Sequence, residues 1–316
     1  MIPRYEDEEI AAICSLEAKG KRWEKVELAV VQAMANLGRI PMGIPHEIQR
    51  VWVANPINME RWAELEARTD HDLAAFIDER KENLSAQLAK YVHAGNMTSY
   101  DTEEPANAAM LLNCLEIVFN YIDDLDKVLG DLALKYRYTI MNGRTHGQEA
   151  ELQSFGKRCL TWLKSLRHAN ESLEYALDTR LLFSKLSGAM GNYTGIDPPL
   201  EKEALAILEL RPYVGATQII PRTFYKPLIS GLDELMSVLG QIAMDIRLGA
   251  RSGRPIYREP FKKTQKGSSA MPHKKNTIKS ENASGMVAMA GGYASMLRNV
   301  MITWEERAIE QSCVER

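Results

Sequence analysis

The chain lacks any pair of cysteines at C-x-x-C spacing; Cys14, Cys114, Cys159 and Cys313 are scattered along it. That pattern excludes a zinc ribbon and a disulfide framework, and it predicts reduced thiols in a cytoplasmic protein. The H-E-x-x-H metal motif is missing too, because His46-Glu47 has no second histidine one helical turn on, so no metal and no cofactor are expected. No apolar run approaches membrane-spanning length. The N-terminus is acidic (Glu6-Asp7-Glu8-Glu9) where a signal peptide is basic and then apolar, so a soluble, intracellular chain without a membrane partner is expected. A net charge of −3 argues against general affinity for nucleic acid. Alternating β-type runs are scarce, and repeats of fixed period and low-complexity tracts are absent.

What is present is helical periodicity. With 316 residues, 45% hydrophobic and 26% charged, the chain can bury a sizeable core. Val26, Ala29, Val30, Ala33, Met34 and Leu37 recur at helical spacing, until Gly38 and Pro41 stop the pattern. Further helical segments are predicted over 59–65 and from Asp72 into the nineties. Much longer ones are predicted from Ala106 to about Tyr138, from Phe155 to about Leu186, from Pro227 to Leu248, and from Glu281 to the end. Stripes of that length are buried only by packing helix on helix, so the expected fold is an all-α bundle of long helices. A smaller helical domain is expected over 1–105, with the bundle over 106–316. Because Ile302–Arg316 carries no glycine or proline stop, the sequence is expected to finish inside a helix.

Between two of these segments lies Lys266–Asn282, reading K-G-S-S-A-M-P-H-K-K-N-T-I-K-S-E-N. Gly267 and Pro272 make it a loop. Its serines and its lysines (Lys266, Lys274, Lys275 and Lys279) suit an anionic ligand, although a solvated basic turn fits the composition equally. His146, after the break at Asn142-Gly143, reads either as a satisfied structural group or as an acid or base. Thr98 and Ser99 read as a helix cap that can also bind phosphate or carboxylate. His71 reads as a helix-start residue held by Asp72.

The order G-S-S-x-M-P-x-K-x-N at Gly267–Asn276 resembles the signature loop of the fumarase/aspartase superfamily of lyases, in the version that its adenylosuccinate-cleaving members carry. G-R-T-H-G at Gly143–Gly147 resembles a second block of that family, and T-D-H-D at Thr69–Asp72 a third, with Asp70 where the family has arginine. Thr98-Ser99-x-Asp101, Arg4-Tyr5, Thr217-Gln218 with Arg222, and the segment from Trp304 to Arg316 resemble others. Ala308–Cys313 departs from the family's serine- and histidine-rich string, and Thr277 replaces a proline.

The resemblance implies a long-helix bundle, with the family's C-terminal helical domain missing from this chain, and elimination of fumarate from a succinyl group. By the same resemblance Ser268 is the base, His146 the acid that protonates the leaving nitrogen, and His71 a group beside the substrate. Lys274 and Asn276 would stabilise the carboxylate, and Glu281 would orient His146. Arg4, Tyr5, Thr98, Ser99, Gln218, Ser269, Lys275, Asn282, Arg307, Ser312 and Arg316 would contact a nucleotide substrate. Sites shared among the subunits of a homotetramer follow likewise. A sibling lyase, a carboxymuconate cycloisomerase and a non-catalytic helical scaffold remain the competing readings. The glycines of Ser187–Gly191 read as packing residues rather than ligand groups.

Overall fold

The computed structural model describes residues 3–253, 255–271 and 273–315. The first third is a set of short helices: α1 (Glu8–Ile13), α2 (Leu16–Asn36), α3 (Ile44–Ala54), α4 (Met59–Thr69), α5 (Asp72–Glu82) and α6 (Ala86–Ala89). Ser15 starts α2 by accepting the Ala18 amide at 3.2 Å, and Gly38 ends it with a φ of 69°, a left-handed turn that glycine adopts without a Cβ penalty. Trp23 and Trp62 each meet Phe76 edge-to-face and lie tilted against one another, with centroids 5.2–5.5 Å apart. They form the centre of this region's core with Ile48, Trp52 and Leu73.

The expected helix running from Asp72 into the nineties breaks at Asn83, which caps α5. α4 ends at Asp70, whose backbone is left-handed (φ 48°), a conformation that aspartate tolerates better than most side chains.

The bundle is built from α7 (Ser99–Lys135), α8 (Phe155–Ala176), α10 (Lys226–Gly249) and α11 (Ile278–Asn299). α7 spans 37 residues, about 55 Å at 1.5 Å per residue. It begins seven residues before the expected Ala106 and carries Pro105 inside it. Asp101 makes this possible, since its carboxylate accepts the Thr98 amide at 2.8 Å and fixes the first turn. Leu115, Ile122 and Leu129 recur one heptad apart on the buried seam of α7. They meet Trp162, Leu166 and Leu173 of α8 and Leu228 and Leu235 of α10. A third cluster joins the two halves through Val30 and Met34 of α2, Ala108 of α7, and Leu200 and Ala204 of α9 (Pro198–Ile207).

Further segments depart from the sequence reading. Between α7 and α8 stands an antiparallel hairpin, β1 (Ile140–Thr145) and β2 (Gln148–Ser154). Its apolar alternation is too weak to announce a strand, and it lies mostly exposed, with Ile140 and Leu152 about 70% accessible. α8 closes in a π-type turn at Leu177–Leu181 instead of running on to Leu186. There the chain is captured by a parallel pairing of β3 (Phe183–Ser184) with β4 (Arg211–Pro212).

After α11 the chain does not stay helical. Residues 300–311 are irregular, and among the described residues only α12 (Ser312–Glu315) resumes, because side-chain contacts made far along the chain hold this segment. No described helix is long and apolar enough to cross a membrane.

Candidate active site

The start of α7 is the meeting point. The helix dipole presents a positive end there, and two segments from the far side of the sequence converge on it. Thr98 Oγ1 accepts a hydrogen bond from Gln218 Nε2 at 3.1 Å, and Gln218 Oε1 accepts one from Arg307 Nη1 at 3.2 Å. The Arg307 guanidinium lies over the Tyr100 ring, 4.1 Å from its centroid. The Tyr100 hydroxyl is 3.3 Å from Ser312 Oγ, and burial raises the pKa of that phenol. The Thr217 hydroxyl donates to the Glu306 carbonyl at 2.7 Å, which fastens the irregular 300–311 segment to the same place.

His71 joins from α5. Its Nδ1 accepts the Ala74 amide at 3.3 Å as the helix cap, and its Nε2 faces Ser99 Oγ at 3.3 Å. His71 therefore caps α5 with one ring nitrogen and faces Ser99 with the other. Thr98, Ser99, His71, Gln218, Arg307 and Ser312 thus form one polar cluster. Arg222 is committed inward, with Nη1 bonded to Glu104 Oε1 and to the Ile220 carbonyl.

The other sequence-singled residues lie elsewhere in the single chain. Tyr5 Oη approaches Asn282 Oδ1 at 3.5 Å, which brings the N-terminal segment to the start of α11, with Arg4 exposed beside it. The amides of Lys279 and Ser280 donate to Glu259 at 3.3 and 2.8 Å and fasten the helix start. Glu281 faces the Thr277 hydroxyl at 3.5 Å, not His146.

Ser268 Oγ accepts the amides of Ala270 and Met271 at 3.4 and 3.2 Å, so the loop folds around its own serine. Gly267 lies so close to the Lys274 carbonyl that no Cβ fits between them, a close approach that only glycine allows. Lys275 stands over the Phe261 ring at 5.8 Å. Lys274 and Ser269 are exposed, and Asn276 is half-buried.

His146 occupies the tip of the hairpin. His146 and Gly147 have φ of 53° and 76°, the two positive values of a type I′ turn, and the imidazole is exposed. Among the described residues, no hydrogen bond or ion pair of this chain joins His146 or Ser268 to the cluster at α7. Arg316 lies outside the described residues.

An apolar cavity of about 220 Å³ beneath the cluster is lined by Leu111, Leu228, Ile229, Leu297 and Met301, with Glu104 and Arg222 at its polar end. Of the described residues singled out from the sequence, Arg222 alone is among those lining it. Sequence reasoning missed Tyr100 and Lys185. Tyr100 stands inside the T-S-x-D string, at the position that the motif leaves free. The signal for Lys185 was its place one residue before Leu186-Ser187-Gly188, a lysine in an otherwise apolar and small stretch.

The family described as Lyase matches residues 9–292. Adenylosuccinate lyases of Thermotoga maritima and Aquifex aeolicus are each 35% identical to the chain over 316 residues, covering all of it and 72% of their own length. That of Synechocystis is 36% identical over 317 residues. Among solved structures, a fumarate lyase from Mesorhizobium superposes with a TM-score of 0.83 at 23% identity, over 98% of this chain and 69% of its own. A β-carboxy-cis,cis-muconate cycloisomerase from Acinetobacter calcoaceticus gives 0.82 at 20% identity, over 98% and 70%. At those identities the structural likeness speaks for the fold alone.

Proposed function

The chain belongs to the fumarase/aspartase superfamily of lyases, and from that we infer a carbon–nitrogen lyase that eliminates fumarate from adenylosuccinate and leaves AMP. The observation that carries the substrate is whole-chain identity of about a third to adenylosuccinate lyases. Sibling lyases and cycloisomerases share the fold at lower identity. The succinyl-carboxamide ribotide, which bears the same succinyl-nitrogen linkage, is proposed as a second substrate, in a cytoplasmic role in purine synthesis.

The proposed chemistry follows from what the bond requires. A C–H beside a carboxylate is a poor acid, so its removal needs the developing dianionic aci-carboxylate to be met by fixed positive charge and N–H donors. Ser268 takes that proton. A serine hydroxyl does so only as an alkoxide stabilised by neighbouring donors and cations; the Ala270 and Met271 amides that already point at Ser268 Oγ and the side chain of Lys274 supply them. Lys274 and Asn276 hold the carboxylate. The C–N electron pair goes to nitrogen, which His146 protonates as fumarate departs, with Glu281 orienting the imidazole. Thr98, Ser99, Gln218, Arg307 and Ser312 hold the remaining anionic groups at the positive end of α7, with His71 beside them.

A homotetramer with composite sites completes the proposal. Met289, Tyr293 and Met296 of α11 and Ile140 and Leu152 of the hairpin are exposed apolar groups. A lone two-stranded ribbon is marginal in water, so a neighbouring copy that covers it also brings His146 to another chain's Ser268. The test is the absorbance change on adenylosuccinate cleavage by the wild type, Ser268→Ala and His146→Ala. Loss in both variants is expected; unchanged turnover in both overturns the chemistry, and a wild type inert on every succinyl compound favours a scaffold.

A further inference from the structure

Behind the polar cluster lies a buried ion pair that the chemistry above does not use. Lys185 and Asp101 are both fully buried and sit 2.7 Å apart. The Lys185 ammonium has three N–H bonds and three acceptors: Asp101 Oδ1, the Gly188 carbonyl at 3.0 Å and the Gln218 carbonyl at 3.0 Å. Asp101 in turn accepts the amides of Thr98 at 2.8 Å, Ser187 at 3.0 Å and Gly188 at 3.2 Å. Two side chains therefore tie together the start of α7, the loop after β3 and the backbone of Gln218.

We infer that Lys185 and Asp101 are the positioning pair of the substrate cluster, setting the spacing at which Thr98 and Gln218 are offered to the anionic substrate. The inference rests on the functional reading above. Two buried charges are costly to desolvate, and an apolar pair of similar volume would secure plain stability as well or better. An apolar pair cannot, however, bind two carbonyls and three amides at fixed directions.

The surroundings fit the same purpose. Gly191, at a φ of 68°, lies against the Ala216 carbonyl with no room for a Cβ, so the loop is pressed onto the strand of chain that carries Gln218. A second buried carboxylate, Glu201, accepts the Leu186 amide and the Tyr193 hydroxyl, both at 2.9 Å, and fixes the loop from its other side.

The test compares Lys185→Met with the double variant Lys185→Met/Asp101→Asn, which removes the cation without leaving a lone buried carboxylate. Thermal unfolding, steady-state kinetics on adenylosuccinate and amide hydrogen exchange are followed in the full chain. The double variant is expected to regain much of the thermal stability lost in the single one. Its KM is expected to stay raised about tenfold or more, with kcat within about threefold, as follows when donors to a binding segment are withdrawn and the chemical groups are left alone. Exchange in 185–188 and 216–220 should quicken together, while the middle of α8 and α10 stays protected. A KM that recovers along with stability, or unchanged exchange in both segments, overturns the inference. If the wild type itself cleaves no succinyl compound, the functional reading fails separately, and the exchange data decide the pair on their own.

Discussion

Gln218 and Arg307, 89 residues apart, meet through a 3.2 Å hydrogen bond between an irregular loop and a segment that follows the last long helix. Gln218 is thereby engaged at both ends of its carboxamide, on Thr98 and on Arg307. Its conformation is set before substrate arrives.

Replacing Gln218 with alanine should therefore weaken binding more than chemistry. Hydrogen bonds to charged groups are worth about 1.5–3 kcal/mol. KM for adenylosuccinate is expected to rise by roughly 10- to 100-fold, with a smaller effect on kcat. Arg307→Ala should behave alike, and steady-state kinetics on both variants check it. A fall in kcat at constant KM would place the two residues with the chemistry instead.

Ser268→Ala and His146→Ala should each lower kcat by about 10²–10⁴, the range for a positioned acid or base. Among the described residues, no hydrogen bond or ion pair joins the two within one chain. Mixing the two inactive variants under conditions that exchange subunits should therefore restore part of the activity, through sites that draw their serine and histidine from different copies. A mixture as inactive as its components would argue that each chain builds its site alone.

The hydrogen bond between His93 Nδ1 and Glu27 Oε1, at 3.0 Å, predicts a pH-dependent contribution to stability. Burial of His93 pulls its pKa down, but the hydrogen bond and charge of Glu27 outweigh this and leave it raised above 6.5, with Lys81 opposing and Asp101 assisting. A histidine raised in the folded state contributes stability that is fully present below its unfolded pKa and lost as pH rises through the folded value. The melting-temperature gap between wild type and His93→Asn should be widest near pH 5.5 and shrink toward pH 8.5; asparagine is chosen because it tolerates the left-handed backbone at this position (φ 51°). A gap independent of pH would show that the pair contributes nothing by titration.

Gly191→Ala combines a left-handed backbone with a collision against the Ala216 carbonyl. A loss of about 2–4 kcal/mol is expected from denaturant unfolding. The chemically identical change at Gly147, φ 76° with open space around it, should cost about 1 kcal/mol. Equal losses at the two positions would mean that the contact with Ala216 is not tight.

On α11, Tyr293 is 53% exposed between Met289 and Met296. Tyr293→Lys should shift the sedimentation coefficient toward smaller species and lower activity in parallel. Unchanged sedimentation would leave that face outside the assembly interface.

The long helices were legible in the sequence because a 3.6-residue apolar period is a local property, and the loop at Gly267–Asn276 because its residue order is specific. The hairpin at Ile140–Ser154 was not legible: its side chains alternate weakly and face outward, so no apolar pattern records the pairing. The early start of α7 was hidden by Pro105, which reads as a boundary until the Asp101 carboxylate is seen to hold the first turn. The irregular run of 300–311 follows the same rule, since its own residues favour a helix and contacts with Gln218 and Thr217 override them.

By itself the sequence determined the all-helical character and the motifs from which the elimination chemistry is proposed, because periodicity and residue order are written in neighbouring positions. Only the tertiary structure decided which of those residues meet. Thr98, Gln218 and Arg307 come together through polar contacts between segments far apart along the chain, centred on the buried pair Lys185 and Asp101. No local pattern encodes a bond whose partner lies that far along the chain.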